Sequence, residues 1–175
     1  TISDMSVDLD GFDFDLSRSY SSLSQATQER FSLGTGWALT GLNSRFELGL
    51  DKTGREAVGI YAPLSLGTRA YITLPTDERM AFTFEPKVKN VGGRDFWRPA
   101  WRADGDHGWT LASTDTLLQR SGSRFYEAGS GQPFNPERPS EAPALALIDP
   151  TGKLYEIDPR RGVVSIVDGL KRIFV

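Results

Sequence analysis

The chain of 175 residues contains no cysteine and a single histidine, His107. Without cysteine it has no disulfide framework, no thiolate zinc site and no cysteine nucleophile. A Ser–His–Asp triad would have to use His107, with Asp104, Asp106 or Ser113 as neighbouring partners. Because no Gly-x-Ser-x-Gly turn presents a serine nucleophile, we interpret His107 as a turn residue and expect no enzyme.

Long apolar runs are also missing, since none approaches the roughly 20 residues that cross a bilayer. No basic segment followed by an apolar one marks a signal peptide. The chain begins at Thr1 rather than at Met, and we expect it to be part of a longer protein. The charge is nearly balanced, with 20 basic and 23 acidic residues and a net charge of −3. This balance predicts no nucleic-acid partner, and the hydropathy predicts no membrane span.

Helical periodicity is scarce, and only the stretch 25–30 collects good helix formers. The chain contains 18 glycines and 10 prolines, which are spread along it as turn signals. Short runs of strand-forming residues recur between these turns. The sequence therefore predicts an antiparallel all-β fold, built from hairpins and meanders into a sheet slab or sandwich-like shell.

The C-terminal part gives the clearest pattern. Turn sequences at 149–152, 158–162 and 168–169 separate predicted strands at 144–148, 153–157, 163–167 and 170–175. Gly162 is free to take a positive φ where its loop meets the next strand. We expect a continuous four-stranded meander over 144–175.

Earlier turns are less regular. The patterns predict one hairpin from 45–50 and 57–61, and another from 70–74 and 80–84. We expect one all-β module over 1–175, with sub-slabs 1–86 and 109–175 and an irregular insertion at 87–108. The proline-rich stretch 128–143 is expected to be an exposed loop.

An acidic run near the start offers oxygen ligands that calcium prefers, from Asp8, Asp10, Asp13 and Asp15. Its spacing differs from an EF-hand, because the glycine comes too early and no glutamate closes the loop. Strand alternation would also place Asp13 and Asp15 on an outer face. Solvated turn and strand residues are the alternative to a calcium site.

Three tryptophans, Trp97, Trp101 and Trp109, fall within a short stretch. Exposed tryptophan rings stack on flat ligands, so these residues suggest a carbohydrate-binding platform. The alternative is that the rings fill the core, as large aromatic side chains usually do.

Two groups of motifs lie far apart in the chain. The first comprises GFDFDLSRSYSS at 11–22, FSLGTGW at 31–37 and NSRFEL at 43–48. The second is LIDPTGKLYEID at 147–158, which runs into GVVSIVDG at 162–169. Together they resemble the opening part of a bacterial RHS/YD-repeat protein, where an RxYxS strand leads to a GxGW corner and short DxxGxxYxhD hairpins follow.

The resemblance implies a non-catalytic structural module that scaffolds or encapsulates neighbouring domains of the same long chain. Family members form hollow β cocoons around toxin domains, or large secreted and cell-surface proteins of bacteria. It also implies structural roles for the motif residues Arg18, Tyr20, Gly34, Gly36, Trp37 and Arg45. The last predicted strand would have an unpaired edge, so we expect edge-to-edge dimers through 170–175.

Overall fold

The structure, a computed structural model, describes residues 2–8, 13–20, 30, 31, 34, 35, 37–40, 44–74, 78–139 and 144–174. These residues form eighteen β-strands and a single turn of 3-10 helix, Glu56–Val58, and no α-helix occurs among them. The predicted antiparallel all-β fold is confirmed. Among the residues described, no helix has the length and apolar character needed to span a membrane. The stretch 25–30, where the sequence collects good helix formers, lies outside these ranges except for Arg30.

The chain divides into two compact units, a division that the sequence analysis did not propose. The first comprises Thr1–Ser44 and Thr73–Arg79, and the second comprises Arg45–Ile72 and Met80–Val175. The first five strands belong to the first unit: β1 (Ile2–Asp8), β2 (Asp13–Tyr20), β3 (Arg30–Phe31), β4 (Gly34–Thr35) and β5 (Trp37–Thr40). Strands β1, β2 and β5 form a sheet in the order β1-β2-β5, and β3 pairs with β4.

The remaining strands begin with β6 (Arg45–Leu48), β7 (Arg69–Thr73), β8 (Arg79–Phe84), β9 (Lys87–Val91), β10 (Arg94–Arg98) and β11 (Trp101–Ala103). They continue with β12 (Thr110–Ser113), β13 (Leu118–Ser121), β14 (Arg124–Glu127), β15 (Leu145–Ile148), β16 (Leu154–Asp158), β17 (Gly162–Asp168) and β18 (Lys171–Phe174). They form three sheets, in the orders β11-β8-β7-β6, β14-β13-β10-β9 and β12-β15-β16-β17-β18.

The sheet β11-β8-β7-β6 buries alternate residues of its central strands. Ala70 and Ile72 on β7 and Phe82 on β8 are almost completely buried, as the twofold periodicity of strands requires. The predicted hairpin of 70–74 with 80–84 is confirmed by this neighbouring pair, and its turn at 75–77 lies outside the described residues. The hairpin predicted for 45–50 with 57–61 is wrong, because β6 pairs with β7 and the 3-10 turn occupies part of 57–61.

The five-stranded sheet contains the predicted meander. Strands β15, β16, β17 and β18 pair in chain order, and β12 adds to the free side of β15. The first turn closes with a hydrogen bond of 3.0 Å from Gly152 N–H to the carbonyl of Asp149. The last turn is shifted by one residue from the prediction: Asp168 lies opposite Lys171, so 169 and 170 form the loop.

Two stretches differ from the sequence expectation. The stretch 87–108 is not irregular, because β9 and β10 form a hairpin there and β11 follows. The expected exposed loop at 128–143 contains buried residues, including Phe134, Asn135 and Pro136. Phe134 stacks on Phe84 with ring centroids 5.7 Å apart. This contact between residues distant in sequence holds the proline-rich segment against the core.

Candidate functional site

Trp101 is a core residue and offers no exposed ring to a ligand. Its side chain is 9% exposed, and its ring lies 5.0 Å from that of Phe84. The indole Nε1–H donates a hydrogen bond of 3.2 Å to Ser113 Oγ, which satisfies the polar end of the buried side chain. Strands β11 and β12 are thereby linked through their side chains.

Trp97 and Trp109 are half-buried and have different aromatic neighbours. The ring of Trp97 lies edge-on to Phe125 at 6.1 Å, whereas the ring of Trp109 lies 5.3 Å from that of Tyr155. Since Trp101 is buried, the three rings do not form the exposed carbohydrate platform that their spacing suggested. Packing of large apolar rings into the core accounts for this difference.

His107 is held in place by a hydrogen bond within its own loop. Its Nδ1 accepts a hydrogen bond of 3.2 Å from the backbone N–H of Trp109. The ring packs edge-on against Phe82 at 5.3 Å. Within the described ranges, Nε2 is a buried atom without a hydrogen-bond partner. In a catalytic triad the histidine donates one ring N–H to a carboxylate and accepts the proton of the nucleophile on its other nitrogen. In this loop one ring nitrogen is bonded to the backbone and the other is buried.

One candidate acid, Asp104, is engaged by other groups. It accepts a hydrogen bond of 2.7 Å from the Thr83 hydroxyl and forms ion pairs with Arg69 and Arg102 at 3.3 and 3.1 Å. Arg102 also donates to Glu85 at 2.8 Å. The hydrogen bond and the negative charge of Glu85 raise the pKa of Arg102 above its ordinary value. The charge and hydrogen bond of Asp104 act in the same direction with a smaller effect. These charges stabilise one another on the sheet, and none is directed at His107.

A cleft of about 320 Å³ with mixed polar and apolar walls lies between the segments 113–116 and 134–139. Its charged side chains are each paired: Glu127 lies 3.3 Å from Arg138, and Asp115 lies 3.3 Å from Arg98. Asn135 at its base donates to the carbonyl of Ala62 and accepts from the N–H of Glu137, each at 2.8 Å. The cleft is therefore held together by internal contacts.

The calcium candidates are only partly described. Asp8 and Asp13 lie directly opposite each other at the end of the β1–β2 pair, and Asp15 lies opposite Ser6. Asp10 lies outside the described residues. Within the parts of the chain that the structure covers, no three His, Asp or Glu side chains are grouped as metal ligands.

The residues of the RxYxS and GxGW motifs meet in the first unit. Tyr20 on β2 lies directly opposite Trp37 on β5, and Arg18 lies opposite Leu39. Gly34 lies in β4, and Gly36 is outside the described residues. The sixth motif residue, Arg45, is an exposed residue of β6 in the second unit. The structure thus brings together the backbones of the two motifs, which are separated in sequence by eleven residues.

Comparison of the chain with protein-family models, with curated protein sequences and with solved structures finds no match.

Sequence reasoning missed the aromatic centre of the second unit. The ring of Phe84 contacts Trp101, Phe125 and Phe134, and Phe84 and Phe125 are almost fully buried. Alternation of apolar residues along β8 and β14 is a signal that could have identified Phe84 and Phe125. Phe134 had no such signal, because it follows a proline in a segment without strand periodicity.

Proposed function

We propose that the chain is a non-catalytic structural β-sheet module of a larger RHS/YD-repeat-like bacterial protein. In this proposal it scaffolds or encapsulates neighbouring domains of the same chain, and the whole protein is secreted or displayed at the cell surface. The sequence motifs supply the family part of the proposal. The observation that supports a scaffolding role is the meander of β15 to β18, whose strands follow one another through tight turns and whose last strand, among the residues described, pairs on one side only.

The open edge belongs to β18. Within the described residues, β18 pairs with β17 on one side only. In a hairpin with a two-residue loop, the two residues that flank the loop exchange two backbone hydrogen bonds. In the β17–β18 hairpin these residues are Asp168 and Lys171. Along an antiparallel pair the inward and outward N–H groups alternate, so the N–H of Arg172 is directed to the open side. A further strand can therefore continue the sheet by backbone hydrogen bonds.

The alternative function, carbohydrate binding through Trp97, Trp101 and Trp109, has no observation in its favour. Trp101 is buried, and its indole N–H is already bonded to Ser113. A ring that packs inside the core has no face left for a sugar.

The open edge can be tested by self-association of the isolated chain, which we expect to form weak edge-to-edge dimers at high concentration. Arg172→Pro removes the outward N–H and places a ring against any added strand, while the bonds to β17 remain. We expect it to weaken the dimer by roughly tenfold or more, as sedimentation across a concentration series would measure.

The matched control is Arg172→Ala. Arg172 lies 3.3 Å from Glu156, and both substitutions remove this ion pair, but alanine keeps the backbone N–H. Arg172→Ala should therefore dimerise like the unmodified chain. A chain that remains monomeric at every concentration, with an Arg172 amide protected from exchange, would contradict an open edge and remove the support for a scaffolding role.

A further inference from the structure

The solvent-facing side of the sheet β14-β13-β10-β9 is unusual in its charge. Trp97 lies opposite Leu118, which is fully buried, and the Trp97 ring contacts the buried Phe125. Successive side chains of a strand point to opposite faces of the sheet, so the residues before and after Trp97, Leu118 and Phe125 point away from the core. We call this outer side of the sheet the basic face.

Five basic residues lie on the basic face: Lys87, Lys89, Arg94, Arg98 and Arg124. All five are exposed, and no position of this face on the four strands is acidic. Thus five of the chain's 20 basic residues, and none of its 23 acidic ones, lie on one side of one sheet. Asp115, which lies 3.3 Å from Arg98, is a counter-charge at the rim.

Two aromatic rings occupy the middle of the basic face. Phe96 is adjacent to Lys89 across the β9–β10 pair, and Tyr126 is adjacent to Gln119 across the β13–β14 pair. Both rings are half-buried, and the guanidinium of Arg94 lies 5.8 Å from the centroid of Phe96. Two strand spacings separate the rings, or roughly 10 Å. The central row thus consists of Lys89, Phe96, Gln119 and Tyr126, with further basic residues on both sides.

Protection of a sheet edge does not account for this arrangement. Lysines on an edge strand such as β9 discourage pairing with another chain. That role explains Lys87 and Lys89. It requires neither the arginines of β10 and β14 nor two aromatic rings on the basic face. Aromatic rings and arginines are instead enriched at the interfaces through which proteins bind other macromolecules.

We propose that the basic face binds a linear acidic polysaccharide that crosses the strands. Sugar rings would pack on Phe96 and Tyr126, the Gln119 amide would bond hydroxyl groups, and the flanking arginines would pair with carboxylates in the bidentate geometry they favour. This site is distinct from the tryptophans and from the β18 edge. It is therefore independent of the scaffolding proposal.

The net charge of the chain and the polar and aromatic groups of the basic face favour a polysaccharide over a single-stranded nucleic acid. The chain as a whole is acidic, with a net charge of −3, whereas nucleic-acid-binding domains are usually basic. A polyuronate offers groups that match the face: carboxylates for its basic residues, hydroxyl groups for Gln119, and apolar ring faces for Phe96 and Tyr126.

The test is calorimetric titration of the full chain with polygalacturonate fragments at low ionic strength, with neutral dextran and an oligothymidylate as comparison ligands. We expect binding to polygalacturonate that weakens as salt is added, because the contacts are exposed ion pairs. Dextran should bind far more weakly. Failure of polygalacturonate to bind, or tighter binding of the oligothymidylate at equal charge, would overturn the proposal.

Variants locate the site. Lys89→Glu with Arg94→Glu should weaken polygalacturonate binding by roughly tenfold or more, because two attractions become repulsions. The matched control, Lys52→Glu with Arg55→Glu, makes the same charge change at exposed residues outside the face and should leave affinity within about twofold. Equal losses in both double variants would show a general charge effect and overturn the assignment. All four positions are exposed, so an unchanged circular dichroism spectrum is expected to verify folding.

Discussion

At the scale of single residues, burial decides what an aromatic or a glycine does in this chain. Trp97, Trp101 and Trp109 have the same chemistry, but Trp101 is buried against Phe84 and the other two are half-buried. Gly162 is the glycine whose predicted positive φ is confirmed, at 82°. Each case yields a prediction about a substitution, and a residue of the same type elsewhere in the chain serves as its control.

Trp101→Ala should lower the free energy of unfolding by about 3–5 kcal/mol, because it leaves a cavity beside Phe84 and an unpartnered Ser113. Trp109→Ala should cost clearly less, since part of that ring is already hydrated. Urea denaturation of both variants measures the difference. Equal losses would contradict the assignment of Trp101 to the core.

Gly162→Val should destabilise the chain by roughly 1–2 kcal/mol, because a side chain with a branched Cβ is strained at positive φ. The control is Gly129→Ala, since Gly129 does not have a positive φ and a Cβ there would meet open space. We expect that control to unfold at nearly the same urea concentration as the unmodified chain. A negligible loss for Gly162→Val would show that this position is not constrained.

At the scale of elements, turn chemistry organises the meander. Asp149 holds the β15–β16 turn by accepting hydrogen bonds from Thr151 N–H, the Thr151 hydroxyl and Lys153 N–H at 2.8, 2.6 and 2.9 Å. Burial raises the pKa of this carboxyl, but the hydrogen bonds from Thr151, Lys153 and Gly152 outweigh it and lower the pKa below its usual value. The charged form is therefore favoured by folding.

Asp149→Ala should destabilise the chain by about 1–2 kcal/mol at neutral pH. A lowered folded-state pKa means that the stabilisation is complete above the unfolded value of about 3.9 and is lost as the pH falls through the folded value. The stability gap between the two chains should thus narrow below about pH 4. Denaturation curves at neutral and acidic pH measure this gap, and a gap that widens in acid would contradict the bonding described.

At the scale of the whole molecule, the two compact units contain different sheets. Within the second unit, the strands differ in how deeply their side chains are buried. Ile157 on β16 and Ile166 on β17 are almost fully buried, whereas every residue of β9 is exposed. Stability against local opening follows burial and contact density. The β9–β10 hairpin should therefore open far more readily than the centre of the meander.

Hydrogen exchange should show this contrast directly. We expect amides paired between β9 and β10 to exchange orders of magnitude faster than those paired between β16 and β17, because the hairpin buries little apolar area. The β15–β16 pair is a useful second reference, since Leu145 and Leu147 are also buried. Comparable protection in the β9–β10 hairpin and the meander would indicate that another surface covers β9.

What the sequence alone determined is local. Strand periodicity and turn chemistry set the all-β class, the meander over 145–174, the positive φ of Gly162 and the turn closed by Asp149, because each depends on residues close together in the chain. The tertiary structure decided which surfaces face solvent. It buried Trp101 and Phe134, paired β6 with β7, and brought the cations of β9, β10 and β14 onto one face. These outcomes depend on contacts between residues far apart in sequence, whose energies no local pattern contains.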